Sequence, residues 1–325
     1  MKTLGKLSKI IIVVGPTASG KTDLALYLAK KFNGEIICAD SRTVYKYLNI
    51  GTAKPYIGKK YYRKNNIYII DDIPHYFINI AEPSHRITVA HFKKTAHRII
   101  NDIVARHKIP IIVGGTGLYV DALVQGYEIP RVAPDRKLRL KLEKQLKRYG
   151  ESRLYQGLLE LDPDVKKFID PKNHRRVIRA LEVIIKTGEK FSELRKKNNS
   201  KYKSLILGIN LPREELYNRV NKRVEKMIKL GLINEVKKIA KKYSWSHSAM
   251  SGIGYRQFKD YLKGKEALDQ AINSLKRDTR HYAKRQITWF KRNKDIIWLN
   301  FDGEKKDFPR LYKKAEEICK KFINN

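Results

Sequence analysis

Two cysteines, Cys38 and Cys319, are the only thiols in 325 residues. They are too few and too far apart for a disulfide framework or for the closely spaced ligand pairs of a zinc site, so a reducing cytoplasm is the expected setting. Long apolar runs are also missing. No stretch approaches the ~18 apolar residues of a membrane span. The run from Ile10 to Val14 is too short for a signal sequence and reads as a core strand. There is no internal repeat and no low-complexity linker. Acidic side chains are scarce: 33 Asp and Glu face 70 Lys and Arg, a formal net charge of +37. Such an excess repels itself unless it meets a polyanion, and it would concentrate nucleic acid at the surface. A biased genome rich in Lys, Ile, Asn and Tyr accounts for scattered lysines equally well, but poorly for basic residues in ordered stripes.

The length corresponds to about two domains. Residues 9–14, 35–39 and 109–113 read as buried strands, with helical spacing over 22–32 and 88–107. Strands alternating with helices predict an α/β fold, a parallel sheet flanked by helices on both faces. From 135 to 197 the chain is highly charged and helical, and a strand returns at 204–210. The predicted organisation is a core of residues 1–127 plus 201–325, interrupted by an all-helical insertion domain over 128–200. A helix over 213–230 carries Leu216, Val220, Val224 and Met227 on one face, with Gly231 at its end, and residues 296–299 form a last strand.

Gly15-Pro16-Thr17-Ala18-Ser19-Gly20-Lys21-Thr22 matches G-x-x-x-x-G-K-[ST] between a predicted strand and a predicted helix, the context a phosphate loop requires. Its glycines let backbone N–H groups turn inward on an anion, and the helix N-terminus adds its dipole. Lys21 reaches outer phosphate oxygens, and the Thr22 hydroxyl suits Mg²⁺. The motif specifies polyphosphate, not nucleotide, and leaves ATP binding open. A conventional NTPase would end a neighbouring strand in an acid; here 109–113 ends in Gly114-Gly115-Thr116-Gly117, and only the strand 35–39 leads to an acid, Asp40. Ligands of open α/β sheets bind beyond the strands' carboxyl ends, which brings Lys21, Asp40 and Thr116 to one crevice. Asp40 is then a metal aide, a general base or a simple helix cap; Thr116 is a site residue or part of a tight turn.

The phosphate loop, Asp40-Ser41, Tyr45, Ile50-Gly51-Thr52-Ala53-Lys54-Pro55 and Val113-Gly114-Gly115-Thr116-Gly117-Leu118-Tyr119 resemble the tRNA dimethylallyltransferases. So do Arg176 with Arg179-Ala180-Leu181-Glu182-Val183, Gly254-Tyr255-Arg256-Gln257, and Lys284-Arg285-Gln286-Ile287-Thr288-Trp289-Phe290. The resemblance implies a P-loop NTPase-like fold and transfer of a dimethylallyl group from dimethylallyl diphosphate to the exocyclic N6 of the adenosine beside the anticodon. It implies that Gly15 to Thr22 and Arg223 hold the diphosphate with Mg²⁺ at Thr22, and that Asp40, Thr116 and Lys21 are catalytic. It assigns contact with the tRNA anticodon stem-loop to Asp40, Ser41, Arg42, Thr43, Thr116, Arg139, Arg175, Arg176, Arg179, Gly254, Tyr255, Arg256, Lys284, Arg285, Gln286 and Trp289. Ser251-Gly252 departs from the bacterial pattern. Eukaryotic relatives add a C-terminal zinc finger, for which two distant cysteines leave no ligands, and a monomer is expected.

Residue-level alternatives remain beside these roles. Arg219 and Arg223 sit four apart on one helix face, and a solvated face is the plain alternative for Arg223. In 277–292, Ala283, Ile287 and Phe290 form an apolar stripe and Arg277, Arg280, Lys284 and Lys291 a basic one. Tyr282 and Trp289 lie on a third side, where packing is favoured over base stacking. Rival functions are a phosphate-loop small-molecule kinase, a nucleotide-switched RNA-binding module, and an isopentenyltransferase acting on free adenylate.

Overall fold

The computed structural model describes residues 7–126, 130, 132–194, 200–301 and 307–325. The chain divides into two compact units, residues 1–124 with 201–325 and residues 125–200. The expected boundary between residues 127 and 128 lies outside the described residues, as do 195–197 at the end of the predicted helical stretch. In chain order the first unit opens with β1 (Ser8–Val14), α1 (Lys21–Lys31), β2 (Gly34–Cys38), β3 (Tyr61–Lys64), β4 (Ile67–Ile70), β5 (Ile73–Tyr76), α2 (Val89–Ala105), β6 (Ile109–Gly114) and α3 (Gly117–Val124). The second unit holds α4 (Arg136–Leu161), α5 (His174–Thr187) and α6 (Phe191–Leu194). The first unit resumes with β7 (Tyr202–Asn210), α7 (Arg213–Lys229), α8 (Leu232–Lys242), α9 (Leu268–Phe290), β8 (Ile296–Asn300) and α10 (Asp307–Asn324). No helix among the described residues is long and apolar enough to cross a membrane.

One eight-stranded sheet runs β3-β4-β5-β2-β6-β1-β7-β8. From β5 to β8 every pairing is parallel, whereas β3 and β4 are antiparallel. The expected parallel sheet is present from β5 to β8, and an antiparallel extension that the sequence did not announce is added at the β3 end. Strand β1 shows why its sequence is apolar without alternation: Ile10, Ile12 and Val14 face one core and Ile11 and Val13 the other. Successive side chains point to opposite faces, and both faces are covered by helices. Helix α2 buries Phe92, Ala96, Ile100 and Ile103 on one face. Its N-cap, Thr88, accepts a hydrogen bond from the His91 N–H.

The second unit has its own core, built on Leu142, Leu158, Val165, Val177 and Leu181. Helix α4 breaks at Gly150, where φ is 80° and ψ 173°, values outside the helical range. At its centre Glu182 is fully buried. Glu182 accepts hydrogen bonds from the Asp135 N–H (2.7 Å), from Arg139 Nε (2.8 Å) and Nη2 (2.6 Å), and from Arg179. Burial alone would raise this carboxyl; the donors from Arg139, Asp135 and Arg179 overcome that and hold it down at about 2.

Candidate active site

In the sheet order β2-β6-β1 three adjacent strands run parallel, so their carboxyl ends open on the same edge. The loop after β1 is the phosphate loop, the loop after β2 carries Asp40, and the loop after β6, between them, carries Thr116. Gly20 takes φ 89° and Ala18 φ 65°, turning the loop into the start of α1. Ser19 and Asp23 donate their backbone N–H groups to the Pro16 and Gly20 carbonyls, and Thr17 donates to Gln286. The N–H groups of Ala18, Gly20, Lys21 and Thr22 have no hydrogen-bond acceptor among the described residues. These donors, at a helix N-terminus, form an anion cradle. The Ser19 hydroxyl is fully buried there without a partner among the described residues.

The cations around this cradle come from two elements. Lys21 Nζ donates to the Pro16 carbonyl (3.1 Å). From α7, Arg223 Nη1 donates to the Thr17 hydroxyl (2.9 Å) and Arg219 Nε to the Ala18 carbonyl (2.8 Å). Arg219 also lies over the Phe308 ring at 4.8 Å. Burial lowers the Lys21 ammonium to about 8, helped by Arg223 and opposed by Asp40. Burial likewise lowers Arg223, with Asp23 and Asp40 opposing. Positive charge is thus held close together on half-buried side chains, an arrangement that an anion would relieve. Arg223 lies on the phosphate loop, not on a solvated face, and Arg219 joins it.

Asp40 is half-buried, and its Oδ1 accepts the N–H groups of Arg42 (2.7 Å) and Thr43 (3.2 Å). One oxygen therefore shapes the turn, while Oδ2 has no hydrogen bond within the described residues. No helix starts at Asp40, so Oδ1 closes a turn and not a helix N-terminus. Thr116 Oγ1 accepts the Ser41 N–H (3.1 Å), and its own N–H donates to the Ala39 carbonyl (3.3 Å), tying the loops after β2 and β6 together.

Helix α9 backs these loops. Gln286, 5% exposed, accepts the Thr17 N–H (2.8 Å) and donates to the Gly115 carbonyl (2.8 Å). A Cβ on Gly115 would come within 2.0 Å of Gln286 Nε2, and one on Gly117 within 2.1 Å of the Trp289 ring, so both positions need glycine for close approach. Trp289 Nε1 donates to Asp121 (3.0 Å). Burial raises the Tyr282 hydroxyl, next the Asp40 charge, with Arg42 and the Thr116 hydroxyl opposing, which sets it beside the reactive loops. Sequence reasoning favoured simple packing for Tyr282. The signal was available: Tyr282, Gln286 and Trp289 follow at i, i+4 and i+7, one face of a helix.

The remaining expected RNA contacts divide. Arg42 reaches the Ser248 carbonyl (2.5 Å) and Ser251 Oγ (3.4 Å), so Ser251-Gly252 supports the Asp40 segment. Lys284, Arg285 and Arg175 are exposed; Arg256, half-exposed, pairs with Asp278 (2.7 Å). Arg176 lies over the Phe168 ring. Two expected side-chain contacts, those of Tyr255 and Gln286, are corrected. Tyr255 is fully buried against Gly51 and donates to Glu235 (2.7 Å), so its side chain is part of the frame. Gln286 is likewise internal. Arg139 and Arg179 are engaged by Glu182, which would otherwise be a buried charge without partners. Glu235 itself, which accepts the N–H groups of Asn49, Ile50 and Gly51, drew no attention from sequence. Gly254, Ser41 and Thr43 lie on the backbone turns just described, at the Gly51 approach and the Asp40 turn. Among the described residues no three His, Cys, Asp or Glu side chains gather to hold a metal.

A profile described as IPP transferase matches residues 43–293. The tRNA dimethylallyltransferase of Halothermothrix orenii is 42% identical over 320 residues, covering 97% of this chain and 94% of that protein. That of Carboxydothermus hydrogenoformans is 43% identical over 320 residues and covers 98% of both. Among solved structures, the full-length tRNA isopentenylpyrophosphate transferase of Bacillus halodurans superposes with a TM-score of 0.70 at 36% identity, covering 98% of this chain and 97% of that one. A eukaryotic dimethylallyltransferase described as acting on tRNA gives a TM-score of 0.81 at 31% identity, over 98% of this chain and 80% of that one. With an anion cradle, a half-engaged carboxylate and a threonine in one crevice of a P-loop-type sheet, and with this likeness over nearly its whole length, the chain belongs to the IPP transferase family.

Proposed function

We propose that the protein transfers the dimethylallyl group of dimethylallyl diphosphate to the exocyclic N6 of the adenosine beside the anticodon of tRNA. The products are N6-isopentenyladenosine and diphosphate, and the cytoplasm is the site of action. The observation that carries this reading is the juxtaposition of an unfilled set of N–H donors, flanked by Lys21 and Arg223, with an Asp40 oxygen free of internal hydrogen bonds. The names of the relatives supply the substrates.

The chemistry follows from these groups. The N6 lone pair forms a bond to C1 of the prenyl chain as the C1–O bond breaks, and that electron pair leaves with the diphosphate. Gly15, Pro16, Thr17, Ala18, Ser19, Gly20, Lys21, Thr22 and Arg223 hold the leaving group, where fixed donors act on charge that grows in the transition state. Asp40 Oδ2 takes the proton that N6 releases. Thr116, tied to Ser41 and Ala39, is the hydroxyl assigned to the scissile oxygen in this reading. An aromatic amine is a weak nucleophile, so much of the acceleration rests on alignment, for which ~7–11 kcal/mol is attainable. The adenine must leave its stack to reach the crevice.

Mg²⁺ fits this donor set. Among the described residues the Thr22 hydroxyl has no hydrogen-bond partner, and Mg²⁺ is usually held by one or two protein oxygens, substrate phosphates and water, not by a protein cage. When bound it supplies charge neutralisation of the diphosphate. On the first unit the exposed Lys284, Arg285 and Arg256 side chains, and on the second, separately, Arg175, are basic groups suited to phosphates of the anticodon stem-loop.

A transfer assay tests the reading. Labelled dimethylallyl diphosphate with Mg²⁺ is offered to the protein together with an unmodified anticodon stem-loop or AMP. Label is expected on the stem-loop and lost in Asp40→Ala. Label on AMP alone would reassign the acceptor, and ATP turnover without prenyl transfer would replace the reading with a kinase.

A further inference from the structure

The assignment of Gln286 to RNA contact leaves its geometry unexplained. Its carboxamide is 5% exposed and bonded at both ends, by its oxygen to the Thr17 N–H and by its nitrogen to the Gly115 carbonyl. Thr17 belongs to the loop that holds the leaving group. Gly115 precedes Thr116, whose hydroxyl receives the Ser41 N–H beside Asp40. No other side chain among the described residues makes hydrogen bonds to both loops. The close approach is enforced from the opposite side, since a Cβ on Gly115 would stand 2.0 Å from Gln286 Nε2.

We propose that Gln286 is a positioning residue for prenyl transfer: it fixes the distance between the phosphate loop and the Thr116–Asp40 side of the crevice, and so the alignment of leaving group and base. The proposal rests on the transferase reading above. An amide is the side chain that can do this, because it offers one acceptor and one donor across a single planar group. Thr17 contributes its N–H to Gln286 instead of to the anion, so the phosphate loop reaches its working shape before substrate arrives. Loops held in advance are what a reaction dependent on orientation requires. Lys284 and Arg285, the two residues before it in α9, are exposed, so RNA contact and loop positioning fall to different faces of one helical turn.

Three variants separate positioning from RNA contact. Gln286→Glu keeps the acceptor for Thr17 and loses the donor to Gly115. Gln286→Met loses both at nearly constant volume. Gly115→Ala pushes the amide away from the other side. We expect kcat for stem-loop prenylation to fall on the order of 100-fold in Gln286→Met, less in Gln286→Glu, and to a similar extent in Gly115→Ala. The Gly115→Ala/Gln286→Met double variant should lose little beyond either single one, since both break the same tie. The dissociation constant for the stem-loop and its dependence on salt should match the wild type throughout. Weaker RNA binding with a shallower salt dependence and an unchanged kcat would overturn the proposal in favour of an RNA contact. So would wild-type kcat in folded Gln286→Met, or strict additivity in the double variant. Inorganic diphosphate affinity, measured by calorimetry, is expected to weaken in the same three variants. This readout stands whether or not the wild type prenylates RNA, so failure of the transferase reading and failure of the positioning role are told apart.

Discussion

Lys21 combines two demands that conflict in the free protein. It must be charged to meet a diphosphate, yet burial and Arg223 lower its ammonium to about 8. Bound diphosphate reverses the second influence. In kcat/KM for dimethylallyl diphosphate, which reports on free protein and free substrate, a decline is therefore expected as pH rises through about 8. In kcat the decline should lie at higher pH, because the charged lysine is then paired. Arginine at this position stays charged, so Lys21→Arg should lose the alkaline decline in kcat/KM whatever its absolute rate; a pH profile that keeps the decline would assign it to another group. Asp40 makes a related point. A sequence reading divided evenly between cap and base because the residue type suits both; Oδ1 is occupied by two backbone N–H groups of a turn, which leaves Oδ2 for the proposed base.

Among the elements, the helical insertion has the most readily tested centre. Glu182, with its carboxyl held down at about 2 by Arg139, Asp135 and Arg179, contributes stability that is complete above the usual carboxylate range. That contribution is lost as pH falls from about 4.5 through about 2. Replacing it with alanine leaves two half-buried guanidiniums without their shared partner, a loss of about 3–5 kcal/mol for a buried pair broken on one side. The far-ultraviolet helical signal of Glu182→Ala should melt earlier than that of the wild type at neutral pH, with the difference shrinking in acid. An equal difference at every pH would mean that packing, not charge, is what the mutation removes. The same cluster shows where sequence reading stops. Arg179 and Glu182 are three apart on α5 and could have been paired on paper. Arg139 is 43 positions away, and only the fold brings it to the same carboxylate. Strands with both faces buried, β1, β2, β6 and β7, were legible because they are continuous apolar runs. The strands of the antiparallel end, β3, β4 and β5, were not. Each has four residues, β3 is exposed throughout, and what holds the edge is the stacking of Tyr56 on Tyr61 (4.6 Å between centroids) and on Tyr68 (5.1 Å). Stacking across a hairpin leaves no periodic mark along the chain.

For the molecule as a whole, two of the 33 acids, Glu35 and Glu182, are buried, each matched by two cations, Arg106 with Lys108 and Arg139 with Arg179, so the net excess of +37 persists while fewer carboxylates reach the surface. A polyanionic partner therefore meets a surface with fewer competing carboxylates. The diphosphate cradle belongs to the first unit alone. Inorganic diphosphate at about 100 times its dissociation constant should stabilise that unit by about 2.7 kcal/mol. Hydrogen exchange should slow in α1 and in the backbone around Gly115, while α4 and α5, which have their own core, keep their rates. Equal slowing in both units would show that they open as one.

The parallel register of Ser8 with Tyr202 sets a timetable for the ribosome. When residues 1–124 have left the exit tunnel, β1 still lacks its neighbour on one side, and the insertion must be made before that neighbour exists. Gln286 emerges later still. At ~5–20 residues per second, roughly ten to fifty seconds separate synthesis of the phosphate loop from synthesis of the helix that fixes its shape. A nascent chain therefore carries the loop's full sequence before the Gln286 contacts to Thr17 and Gly115 exist.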